Sequence, residues 1–184
     1  MSNYTFEKIN ATPYFDLELI MRNSQETRLG GEAFDRFLSL WEDWKSKLNV
    51  YTVDTGKIKY LVTWLPEEVE ISIDDAWADS PSKAYADNAL AQTLCMSAVH
   101  SILPEVENAG CAPAPRPTDN LRTALNEIGL SYKEEGPSLS RRFAVVTHYP
   151  FKGGCEICHL QKNCPKGQGQ SGEASFELPG YERE

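Results

Sequence analysis

With 184 residues, 41% of them hydrophobic and 24% charged, the chain has the composition of an ordinary globular protein and the length for one full-sized core. No run approaches the roughly 20 apolar residues that a bilayer requires, and no basic stretch followed by an apolar one opens the chain, so the sequence predicts a cytoplasmic protein without membrane contact. The formal charge of −9 arises entirely in residues 1–110, which hold 9 Lys/Arg against 18 Asp/Glu, and this balance argues against nucleic-acid binding.

The first apolar segment, residues 13–22, is too short to assign. Residues 30–48 place Phe34, Phe37, Leu38, Trp41, Trp44 and Leu48 on one face at helical spacing. Residues 50–53 and 57–64 then flank Asp54-Thr55-Gly56 and predict a β-hairpin. Val69-Glu70-Ile71-Ser72-Ile73-Asp74 alternates strictly, which predicts a third, half-buried strand. Ser80 followed by Pro81 marks a helix start, with Leu90, Ala91, Leu94, Cys95, Ala98, Val99 and Ile102 as its apolar face and Pro104 as its stop.

Residues 110–117, Gly-Cys-Ala-Pro-Ala-Pro-Arg-Pro, cannot form a helix and predict an extended connector. Beyond it, Thr118 or Asp119 caps a short helix that buries Leu121, Leu125 and Ile128 and stops at Gly129. Two strands are expected at residues 130–134 and 142–148, joined through Gly136-Pro137-Ser138, and residues 167–184 form an irregular tail. The sum is an α+β fold, mixed antiparallel strands and helices with a Cys-rich metal-binding loop near the C-terminus. It reads as one domain over residues 1–166, with a sub-boundary conceivable at the connector near residues 110–117.

That loop carries the chemistry. Cys155, Cys158 and Cys164 stand two and then five residues apart, between Lys152-Gly153-Gly154 and Pro165-Lys166-Gly167. A Cys-x-x-Cys turn points both sulfurs at a common centre, so thiolates at this spacing can converge on one metal or cluster. Five cysteines are an odd count and, in a reducing compartment, do not predict a disulfide framework. A closed site needs a fourth ligand. Cys95 lies on an apolar helix face, where a thiol acts as a small hydrophobe, whereas Cys111 sits in a connector with no helical stripe to explain it. The predicted ligand set is therefore Cys111, Cys155, Cys158 and Cys164, with Cys95 and His148 as the other candidates for the fourth position. His159 adjoins Cys158 and is better placed to tune a sulfur than to ligate.

Four chemistries fit such a loop. Cys155-x-x-Cys158-His159 matches the attachment motif of c-type haem, but no export signal is present and Cys164 would be left over. A free redox pair would open a helix after a strand in a βαβ unit, a context absent here. A structural zinc module usually pairs two knuckles, and only one is present. A [4Fe–4S] cluster accommodates mixed short spacings, a distant fourth cysteine and a proline after the last ligand, here Cys164-Pro165.

The Cys-x-x-Cys-x-x-x-x-x-Cys run also resembles the last three ligands of the iron–sulfur loop of helix-hairpin-helix DNA glycosylases. The resemblance covers about ten residues, and His148 occupies the place of that family's first ligand. No helix-hairpin-helix glycine motif accompanies it, so it is a precedent for cluster geometry and does not assign a family. The expectation is an iron–sulfur protein, an electron carrier or accessory subunit of a redox enzyme system with a protein partner. The alternative is a zinc-stapled binding or accessory module without catalysis.

The cationic stretch Arg141, Arg142, Lys152, Lys162 and Lys166, opposed only by Glu156, would offset an anionic thiolate centre or dock an acidic partner. No phosphate loop, nucleophile elbow or zinc helix is present, and Asp74-Asp75-Ala76-Trp77-Ala78-Asp79 lacks a calcium-loop pattern.

Overall fold

The computed structural model describes residues 4–25, 28, 30–134 and 136–164; the predicted tail and the Pro165-Lys166-Gly167 end of the cysteine loop lie outside them. Strands β1 (Thr5–Lys8), β2 (Asn49–Asp54), β3 (Lys59–Trp64) and β4 (Val145–His148) form one antiparallel sheet in sequence order. Six helices accompany it among the described residues: α1 (Leu17–Ser24), α2 (Gly31–Lys47), α3 (Glu67–Asp79), α4 (Pro81–Ile102), α5 (Pro104–Ala109) and α6 (Asp119–Glu127).

The hairpin forms where the turn chemistry placed it. Gly56 takes φ 81°, open to glycine at little cost, and donates its N–H to Asp54 Oδ1 at 2.7 Å. Strand β3 has almost no polar alternation because both faces of the sheet are covered. Val50 and Leu61 pack under Ala98, Val99, Leu103 and Val106 of α4, its C-cap and α5. Val53, Tyr60, Val62 and Val146 face Leu121, Ala124 and Leu125 of α6. Since α5 and α6 lie on opposite faces, the connector joining them must pass around a sheet edge. It passes at β4, where Thr147 Oγ1 donates to the Pro113 carbonyl at 3.0 Å.

Helix α4 is the central element, buried nearly all round. Ser80 caps it by accepting from the Lys83 N–H, and Pro81 fills the first position, where no intrahelical N–H is needed. Around it, Ile20, Phe37, Trp41, Trp44, Val69, Ile73, Leu90, Leu94 and Cys95 form the largest apolar cluster. The stripe expected on α2 holds for Phe37, Trp41 and Trp44, but Leu38 is exposed and Leu40 takes a share of the contact instead.

Residues 69–74 are not a strand. They belong to α3, which follows Pro66 and opens with Glu67, Glu68 and Glu70, acids that complement the positive end of the helix dipole. Val69 and Ile73 are spaced by four, so both periods bury them. Ile71, the residue that made the pattern alternate, is 54% exposed. Pro104 does end α4, yet it also starts α5, a short helix closed by Gly110 at φ 78°. The strand expected at 130–134 shrinks to a single bridge between Tyr132 and Leu139. Its partner begins only at Val145, because Arg142 is turned toward α3, its N–H on Glu70 and its guanidinium on Asp74.

Candidate metal centre

Past the cis Tyr149–Pro150 bond the chain leaves the sheet and enters the cysteine loop. Two 3₁₀ turns, Cys155–Ile157 and Gln161–Asn163, follow one another, and neither contains a buried residue. The loop therefore has no apolar core of its own, and backbone hydrogen bonds shape it. The Cys158 N–H donates to Cys155 O at 3.2 Å, closing the Cys-x-x-Cys turn, and the Cys164 N–H donates to Gln161 O at 3.4 Å.

The glycines before the turn have a specific task. Gly153 takes φ 143°, and a Cβ there would collide with the Glu156 carboxylate. That carboxylate accepts from the Gly154 N–H at 2.9 Å. Bonds from its own N–H and from that of Gly154 hold the Glu156 carboxyl below the usual carboxylate range. Replacing Gly153 with Ala imposes a strained φ and displaces the Glu156 carboxylate from its bond to Gly154, so the turn that presents Cys155 should reorganise. Reaction of Cys155 with a thiol reagent should change in rate in this variant, while far-UV circular dichroism of the remaining fold stays constant; unchanged reactivity would show that the turn does not need the glycine.

The connector docks on this loop in extended form. The Ala114 N–H donates to Cys158 Sγ at 3.3 Å, and the His159 N–H donates to Ala114 O at 2.8 Å. These two bonds bring the segment carrying Cys111 alongside Cys158, and Gly154 lies against Ala109 at the end of α5. Cys111 follows two residues on, close enough to Cys155 for the two thiols to interact. Its thiol is pushed above its ordinary value by burial first, then by the charges of Cys155 and Cys158, by a hydrogen bond with Cys155, and by Cys164. Cys155 is exposed, and Cys111, Cys158 and Cys164 are half-buried.

Cys155, Cys158 and Cys164 thus all lie within electrostatic reach of Cys111. They are not a ready-made cage: among the described residues, no three His, Cys, Asp or Glu side chains already stand in a metal-holding group. The other candidates for the fourth position are placed elsewhere. Cys95 is fully buried beside Leu90 and Leu94 in the α4 core, and desolvation pushes its thiol far up. His148 packs its ring against Tyr60, 5.5 Å between centroids, with Nδ1 buried and lacking a partner among the described residues. Burial and the Lys152 charge lower its basicity.

The charge pattern around the loop differs from the sequence expectation. Arg141 and Arg142 pair with Glu67 at 3.2 Å and Asp74 at 2.7 Å on α3, so the acids of the first half neutralise them. Lys152 remains near the loop, and Lys166 lies outside the described residues. Sequence reasoning also passed over a cleft of about 660 Å³ that adjoins the thiols through Cys111 and Leu160, with His100, Tyr132 and Lys133 among its walls. No helix among the described residues is long and apolar enough to cross a membrane.

Comparison with known proteins finds no family profile, no curated protein sequence and no solved structure that matches this chain.

Proposed function

We propose that the chain is an iron–sulfur protein whose [4Fe–4S] cluster is held by Cys155, Cys158 and Cys164 from the loop and by Cys111 from the connector. Its role is electron transfer, or support of a redox enzyme to which it belongs as an accessory subunit. The observation that carries this reading is the hydrogen-bonded docking of residues 111–117 on the cysteine loop, which puts Cys111 beside Cys155. An all-thiolate set suits soft metals and clusters over hard cations. The Ala114 N–H on Cys158 Sγ is the kind of contact that tunes a cluster's potential. Protonated thiols need not converge, and metal binding would expel the protons and draw the four sulfurs together.

Anaerobic purification followed by iron and sulfide analysis tests the proposal. The expected result is a brown protein with broad visible absorbance, bleached by dithionite, and four irons and four sulfides per chain, the content of one cubane. A colourless protein with one zinc per chain would establish the zinc-stapled module instead.

A further inference from the structure

We propose that the cleft beside Cys111 is a binding site for a small organic acid, a carboxylate carried on an apolar body. The cleft, about 660 Å³, is lined by residues of α1 and α4, the connector and residues 132–146. Its size falls in the range of small-molecule sites, and apolar and polar groups share its surface about evenly. Met96, Leu139, Ala144, Val145 and Leu160 supply the apolar surface.

The polar groups select the ligand. No Asp or Glu is among the described residues that line the cleft, although the chain as a whole carries −9. Lys133, Arg141 and Arg142 are. The two arginines are held by Glu67 and Asp74 of α3, which lie outside the lining. Arg142 makes a two-point contact on Asp74, at 2.7 and 2.9 Å, which leaves other N–H donors of its guanidinium unused there. Lys133 is exposed and its ammonium has no acidic partner among the described residues. His100 adds a buried Nδ1 with no hydrogen-bond partner, an unsatisfied group of the kind that a bound molecule or water completes. A carboxylate is the complementary anion for this set, and the apolar part of the lining accommodates a hydrocarbon body.

The inference stands on the cleft and does not depend on the metal. Its position gives it a consequence if the metal is there, since Cys111 and Leu160 place the bound acid against the thiol centre.

Amide chemical-shift titration of the full chain with phenylacetate tests the proposal. Saturable shifts are expected at His100, Lys133, Leu139 and Val145. Lys133→Glu should weaken binding about tenfold, the scale of reversing one partly exposed charge. Lys57→Glu, in the exposed hairpin turn, makes the same change in total charge and should leave it unaltered. Equal affinity for phenylacetamide would show that the site does not read charge and would overturn the proposal. Saturation by inorganic phosphate without response to phenylacetate would overturn it in favour of a phosphate site. Absence of saturable shifts at these amides with both phenylacetate and hexanoate would overturn it outright. Iron analysis of the same sample reports on the metal separately, so either idea can fail alone.

Discussion

Cys111→Ser is expected to abolish stable metal loading, whereas Cys95→Ala leaves iron, sulfide and the visible spectrum at wild-type levels. The two cysteines are sixteen positions apart in the sequence and entirely different in setting. Cys111 feels the charges of the other three thiols, and Cys95 is sealed between helices. A cluster left with three thiolates exposes one iron to solvent and degrades readily, so the loss should show as sub-stoichiometric iron and rapid bleaching in air. Retention of a full cluster in Cys111→Ser together with its loss in Cys95→Ala or His148→Gln would move the fourth ligand elsewhere. Because neither 3₁₀ turn buries a side chain, metal loss should also expose the loop, read as faster proteolysis after Lys152 or Lys162.

Trp41→Ala should be the most damaging single truncation in the helical core, costing about 3–5 kcal/mol. Trp41 is 2% exposed and meets the Phe15 ring edge-on at 5.2 Å between centroids. Residues on α1, α3 and α4 surround it, so no single element can collapse into the space left behind. For a chain of this length that cost lowers the thermal midpoint by about 6–20 °C. Leu38→Ala, on the same helix, should change stability by less than about 0.5 kcal/mol, because Leu38 is 38% exposed. A comparable loss at both positions would mean that the exposed face of α2 is covered in solution.

Both outcomes bear on what was legible in the sequence. Elements with local punctuation were readable: the Ser80-Pro81 start, the Asp54-Thr55-Gly56 turn, and the Thr118 cap with its Gly129 stop each act within a few residues. Residues 69–74 misled because spacing by four satisfies the strand period as well as the helix period, and only the exposure of Ile71 separates the two. Strand β1 could not be seen at all, since its four residues bury no side chain fully and pairing with β2 alone defines them. Arg142 ended one expected strand early by bonding to α3, a contact across 68 positions that no local pattern encodes.

For the candidate centre, spacing pointed to the loop, and the irregular setting of Cys111 made it the first choice for a fourth ligand. What spacing could not supply was the means of approach, the backbone bonds of Ala114 and His159, because alanine carries no chemical signal. The cleft was invisible for the same reason, being assembled from segments that are distant in the chain.

The proline connector has one more consequence, for association. A sheet ends in open rows of donors and acceptors, and these invite strands from other molecules. At the β4 edge this chain lays down a segment in which Pro113, Pro115 and Pro117 have no N–H to give, so it cannot template a further strand. At the opposite edge β1 is four residues long and carries Glu7 and Lys8. Growth of the sheet is thus disfavoured on both sides, by proline at one and by brevity and charge at the other.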